Sequence, residues 1–296
     1  MSEFRKQKKK TPYPNINQLK IIAAAKTEAL KTNGVIEKNV LSAAVVAEEA
    51  QLAVEAGIDL QSLRKQNVIK FDTDKYRLQE AVTEALGLPA DMSTKLGSLH
   101  DTSILPLADT SSGCGYRGYG TEWIKRWKSK WEHSHQWYEA LYLALLEDIV
   151  LPYVNDPRGI CFQRDPTFRC HIAGDPQPSG RVHCDADYGH SSAEVNFWIP
   201  LSSEVGGTNS LYCESSPGSG DYTSFDIKYG EIVCFWGNQC NHYTVPNTTD
   251  VTRVSVDLRV LPRSLYDLTA SPSSHFAIGG FFGHMYRDED GNVVVK

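Results

Sequence analysis

From Leu151 onward the chain consists of short apolar segments, four to nine residues long, separated by Gly, Pro, Asp and Ser. Strands are expected near CFQR, FRCHIA, GRVHC, AEVNFWIPL, NSLYC, YTSFDI, EIVCFWG, NHYTV and TRVSVDLRVL. Eight or nine such segments with no helix between them exclude a parallel α/β sheet, whose crossovers need helices, and indicate a sandwich or jelly roll.

The first half has another character. It is Ala-rich, and INQLKIIAAAKTEALKTNG, LSAAVVAEEAQLAVEAG and DKYRLQEAVTEALGL carry helical apolar spacing, each with a Gly at or near its end. GVIEKNV reads as a short strand. A long helix is expected from about Glu122 to Val150, with Trp123, Trp127 and Trp131 on one buried face. Before it, residues 101–121 form a Gly/Ser/Tyr-rich loop long enough to be functional. The expected organisation is an α+β chain. A disordered basic tail (1–15) precedes one domain (16–296), helical over 16–150, a jelly-roll core over 158–262 and a C-terminal lid or hairpin over 263–296.

Composition removes several function classes. The chain has 296 residues and a net charge of −6, which argues against phosphate-backbone binding, so no nucleic-acid partner is expected. No apolar run approaches the roughly 18 residues of a membrane span, and the basic start MSEFRKQKKK is not followed by the apolar stretch of a signal peptide. Seven cysteines without a CxxC pair read as reduced thiols, which points to the cytoplasm.

Three residues in the second half have the chemistry of a metal site. In GRVHCDADYGH, His183 and Asp185 are separated by one residue, and alternate strand positions share a face. GNQCNHYTV supplies His242 downstream. Two histidines and one carboxylate form the facial triad of non-haem iron oxygenases. Eleven residues after His242, Arg253 opens a strand on which Arg253, Ser255, Asp257 and Arg259 share one face. By pattern alone a polar strand face is the solvent side. In a jelly roll holding a metal and an anion the same face fits inward, and an arginine there can clamp a carboxylate through two hydrogen bonds. His133 and His135 lie on the expected long helix, where positions two apart diverge, and carry no metal role.

The HCD…H…R order resembles the Fe(II)/2-oxoglutarate-dependent dioxygenases of the phytanoyl-CoA dioxygenase-like branch. The segments FQRDPTFR, HCDADYGHSSAEVNFWIPL, GNQCNHYT and TRVSVDLRV, within residues 160–262, look closest to its streptomycin-biosynthesis-type members. The resemblance implies a double-stranded β-helix in which His183, Asp185 and His242 ligate Fe(II). It further implies 2-oxoglutarate and O2 as cosubstrates. Arg253 would then pair with the distal carboxylate, assisted by Ser255, with Asn196 and His171 also near the cosubstrate and Arg259 the next candidate clamp. The intact Asp185 disfavours the halogenase variant, which lacks that carboxylate.

From Glu132 to Val295 there is one lysine, Lys228, against eight arginines. With Arg253 assigned, Arg164, Arg169 and Arg181 remain for a small carboxylate-bearing, amino-acid-derived substrate, with Tyr188 and Trp198 beside it. An overall likeness to algal kainoid synthases adds oxidative cyclisation to hydroxylation as an outcome. The GGFFGH segment at 279–284 and the 113–120 loop are candidates to close the site. The competing readings are another metal-dependent cupin enzyme and a non-catalytic jelly-roll binding protein; neither needs Arg253 at this spacing. The oligomeric state is left open.

Overall fold

The computed structural model describes residues 43–101, 103–104, 122–129, 135–176, 178–269 and 274–296. The expected tail, the helix over 16–34, the strand in GVIEKNV, nearly all of the 101–121 loop, Trp131 and His133 lie outside the described residues.

Thirteen described strands make a mixed helix and antiparallel-sheet structure: β1 Asn67–Lys70, β2 Ile160–Gln163, β3 Thr167–His171, β4 Val195–Pro200, β5 Glu204–Val205, β6 Tyr212–Cys213, β7 Thr223–Ser224, β8 Ile227–Lys228, β9 Glu231–Phe235, β10 His242–Tyr243, β11 Arg253–Pro262, β12 Phe282–Arg287 and β13 Val293–Val295. The main sheet runs β1-β9-β4-β11-β2-β12-β13, with β3 also paired to β11. Two smaller sheets, β10-β6-β7 and β5-β8, form a second layer.

Side-chain alternation sorts the main sheet into two faces. Val195, Phe197, Ile199, Ile232, Cys234, Val254, Val256, Leu258 and Val260 point to one side, into the large core shared with the helices. Trp127 stacks on Phe168 there at 4.8 Å, and the Tyr142 hydroxyl donates to the Gln163 carbonyl at 2.7 Å. On the other side Trp198, Val233 and Phe235 meet Val205, Cys213, Phe225 and Ile227 of the small sheets. The polar residues of β11 also lie on this inner side. Arg253, Ser255, Asp257 and Arg259 are all buried, so the pattern-based placement toward solvent is corrected.

The helices are shorter than the apolar spacing implies. The expected helix at 74–88 spans only Leu78–Ala85, because the Asp72 side chain accepts the Asp74 and Lys75 amides and folds that stretch into a turn. The expected helix over 122–150 is interrupted. Residues 122–129 are helical, His135 is not (φ −106°, ψ 4°), and a new helix begins at Gln136. It widens to a π turn at Leu146–Val150, just before Pro152, whose missing N–H breaks the regular ladder. Strand β1 in NVIK has no alternation to reveal it: three of its four residues are exposed, and it is held as an edge strand by register with β9. No described helix is long and apolar enough to cross a membrane.

Gly159 joins the helical layer to β2 in a left-handed conformation (φ +88°), and a Cβ there would lie 2.1 Å from the Met285 carbonyl of β12. Gly159→Ala should therefore destabilise the fold by at least about 2 kcal/mol, read as a lower urea midpoint at unchanged m-value.

Candidate metal centre

His183 and His242 face each other through a two-way backbone bridge, His183 N to His242 O at 3.1 Å and the reverse at 2.8 Å. GRVHC is not a regular strand, and Asp185 does not occupy a second strand position. The chain is extended through Cys184 and then turns, so that Asp185 opens a 3₁₀ turn (Asp185–Tyr188) closed by Gly189 at φ +81°. The Asp185 amide donates to the Gly237 carbonyl at 2.9 Å, which ties this turn to the loop preceding His242. The three side chains still converge, with one donor atom from each lying within 4.8 Å of the other two.

The donor atoms suit a divalent cation. His183 Nδ1 lies 2.6 Å from the Arg181 carbonyl and His242 Nδ1 lies 3.0 Å from the Cys240 carbonyl. Each carbonyl keeps the proton on Nδ1 and leaves Nε2 as the lone-pair donor. The Nε2 atoms lie 3.9 and 3.8 Å from Asp185 Oδ1. Burial, reinforced by the neighbouring His183, pushes the His242 imidazole down to about 4, so it is neutral at physiological pH.

Arg259 binds Asp185 through both carboxylate oxygens, Nε to Oδ2 at 2.8 Å and Nη2 to Oδ1 at 3.1 Å. Its remaining Nη1 donates to Gln163 Oε1 at 3.2 Å and Asp257 Oδ2 at 3.4 Å. Arg259 is thus committed to Asp185, not held in reserve for a cosubstrate. Burial would raise the Asp185 carboxyl, but the Arg259 charge, then His242, with hydrogen bonds from Arg259 and Asn196, hold it below the usual carboxylate range.

A cleft of about 350 Å³ opens over these groups. Arg169, Arg181, Tyr188, Asn196, Trp198, Arg253, Asp257 and Arg259 line it beside the triad. Arg253 is 2% exposed, donates through Nη2 to Ser179 Oγ at 3.0 Å and lies 5.8 Å from the Trp198 ring. Its Nε and the Ser255 hydroxyl are buried without a hydrogen-bond partner among the described residues. Burial and the nearby Arg169 lower the Arg253 guanidinium to about 10.

Other expected site residues lie elsewhere or act differently. Arg164 is outside the cleft, donating to the Gly279 carbonyl at 3.2 Å. His171 is buried in register with Arg253 but is not part of the described cleft wall. Asn196 donates to Asp185 Oδ2 at 2.7 Å. Arg169 reaches Asp257 at 3.4 Å rather than an acid in its own segment. The 279–284 segment packs along β2 instead of over the cleft, and residues 113–120 lie outside the described set. Gln163 and Gly237 were not anticipated. A Cβ on Gly237 would come within 2.6 Å of Asn196 Oδ1, so the glycine makes room for that amide.

No protein-family model matches the chain. Over 109 residues it is 39% identical to the streptomycin biosynthesis protein StrG of Streptomyces griseus, covering 37% of this chain and 50% of StrG. The streptomycin-biosynthesis-type resemblance is therefore shown, and the chain spans about half the length of that relative. Among solved structures, a non-heme monooxygenase, ThoJ, in its nickel complex matches at 14% identity and TM-score 0.36, over 69% of this chain and 77% of ThoJ. CytC3 with Fe(II) and alpha-ketoglutarate matches at 13% and 0.33, over 77% and 79%.

Removing the guanidinium strands a buried carboxylate. Arg259→Leu should cost about 3–5 kcal/mol of stability, and adding Asp185→Asn should restore part of it in a double-mutant cycle by urea unfolding. Because the folded Asp185 carboxyl is depressed, its contribution is present at neutral pH and fades as pH falls below the ordinary carboxylate range. The Arg259→Leu penalty should therefore shrink in acid.

Proposed function

We propose that the chain is a non-haem Fe(II)/2-oxoglutarate-dependent oxygenase of the double-stranded β-helix type. It would oxidise a C–H bond of a small, carboxylate-bearing, amino-acid-derived metabolite, by hydroxylation or oxidative cyclisation. The observation that carries the reading is the convergence of two imidazole Nε2 atoms and one carboxylate oxygen, each imidazole fixed from behind by a backbone carbonyl. His183, Asp185 and His242 would hold Fe(II), which on reaction with 2-oxoglutarate and O2 supplies a C–H-abstracting oxidant.

The protein's own groups divide the remaining work. Arg253 lines the cleft with its Nε lacking a hydrogen-bond partner among the described residues, so a carboxylate there would satisfy it, whereas Ser255 on the same strand face is fully buried and not part of the described cleft wall. The cleft contains the guanidinium groups of Arg169, Arg181, Arg253 and Arg259 against the carboxylates of Asp185 and Asp257. Arg259 pairs with Asp185, Arg169 shares Asp257 with Arg259, and Arg253 would take a cosubstrate, so the arginines outnumber the cleft's own carboxylates. Arg169 and Arg181, with Tyr188 at the mouth, then favour an anionic substrate. Trp198 supplies an apolar wall, and Tyr188 stands edge-on to His183 at 5.4 Å.

His183→Ala and His242→Ala should each abolish stoichiometric Fe(II) or Ni(II) binding by equilibrium dialysis and abolish turnover. His275→Ala, at an exposed position, should change neither. Retention of metal and activity in the His183 variant would refute the triad.

Arg253→Ala should raise the apparent KM for 2-oxoglutarate about a hundredfold or more, with metal binding kept, because the anion loses a buried charged partner. Succinate release, screened over dicarboxylic amino acids and their N-alkyl derivatives against neutral sugars, lipids and acyl thioesters, checks the substrate class. Coupled turnover with uncharged compounds alone would overturn it and leave the metal assignment standing.

A further inference from the structure

The two oxygens of Asp185 have unequal surroundings. Oδ2 accepts Asn196 Nδ2 at 2.7 Å and Arg259 Nε at 2.8 Å, two short bonds that use both of its in-plane lone pairs. Oδ1 accepts one longer bond, from Arg259 Nη2 at 3.1 Å, and points at the two histidine Nε2 atoms.

The three donors are themselves fixed. Asn196 and Arg259 are direct cross-strand partners on β4 and β11. Arg259 is held at its other end by Gln163 and Asp257, and Gly237 leaves room for the Asn196 amide.

We infer that Asn196 and Arg259 are positioning residues, a three-donor cradle whose two short bonds occupy Asp185 Oδ2 and whose third, longer bond from Arg259 Nη2 aims Oδ1 at a metal ion as the one coordinating oxygen. The inference rests on the metal-site reading above and adds to it which oxygen binds and what enforces the choice. A carboxylate free to turn would use both oxygens and take a coordination position from an incoming ligand. The cradle also defines an anion-binding site in its own right: without the Asp185 side chain, its donors would converge on a space suited to a small carboxylate.

Two measurements test this. First, a crystal structure of the Co(II)-loaded wild type should show Oδ1 at about 2.0–2.2 Å from the ion and Oδ2 beyond about 3 Å, still on Asn196 and Arg259. In Asn196→Leu the second oxygen should swing toward the metal, and the cobalt visible spectrum should shift to the weaker absorption of higher coordination. Second, Asp185→Gly should bind Co(II) weakly, and formate should restore both affinity and the wild-type spectrum. The formate concentration needed should rise at least about tenfold in Asp185→Gly/Asn196→Leu, through loss of one hydrogen bond to an anion.

Binding through Oδ2 or through both oxygens in the wild type would overturn the inference. So would an unchanged cobalt spectrum and geometry in Asn196→Leu, or formate rescue indifferent to Asn196. Absence of cobalt from the triad in the wild type would instead refute the metal site itself, so the two failures are distinguishable.

Discussion

Strand β11 is buried along all ten of its residues, and that burial constrains everything around it. Its Val254, Val256, Leu258 and Val260 fill the core beneath the sheet, while Arg253, Ser255, Asp257 and Arg259 occupy the opposite face. Guanidinium and carboxylate groups removed from water are costly unless paired and hydrogen-bonded. The inner face must therefore be built as a network. Arg259 is the hub, joining Asp185 on a turn, Gln163 on β2 and Asp257 on its own strand. Residues of the small sheets pack against Trp198, Val233 and Phe235 on this side, and His242 and Tyr243 of β10 line the cleft.

That network links stability to the proposed chemistry. The ion pair that makes β11 tolerable in the interior also keeps Asp185 ionised and fixes the orientation of its carboxylate. Arg253 differs. Its described hydrogen bond goes to a neutral hydroxyl, and its Nε is buried without a hydrogen-bond partner among the described residues. A folded chain retains such groups at a cost of about 1–3 kcal/mol each, which an arriving carboxylate would offset. The contrast between a fully paired arginine and one with an unpartnered Nε, six residues apart on one strand, is the basis for proposing a positioning role for Arg259 and a binding role for Arg253.

Much of the site was legible in the residue pattern. His183, Asp185 and His242 stand together as their identities and spacing implied, and Arg253 faces the cleft. The route differs, because Asp185 reaches the site on a turn and not along a strand. Local alternation carries no information on where an extended segment ends, since the Gly237 carbonyl that anchors the turn lies far along the chain. Arg164 and Arg169 looked equivalent in FQRDPTFR. Only Arg169 lies on β3, reaching Asp257 across to β11, whereas Arg164 follows β2 out to the 279 loop.

Among the described residues, the residue pattern by itself determined the concentration of short strands after residue 158. It also determined the donor types of the candidate centre and the two chemically distinct faces of β11. These follow from side-chain chemistry and from the period of two, both local properties of the chain. Tertiary structure decided which face of β11 is enclosed, and that Arg259 pairs with Asp185 while Arg253 lines the cleft with its Nε unpartnered among the described residues. It also decided where the long helix breaks, and that NVIK joins the sheet as an edge. Each of these depends on partners brought close by folding, Asp185 to Arg259 across 74 residues and Asn67 to Cys234 across the β1–β9 register. Such contacts are selected by which buried charges and backbone groups can be satisfied together, a condition that exists only once the layers have packed.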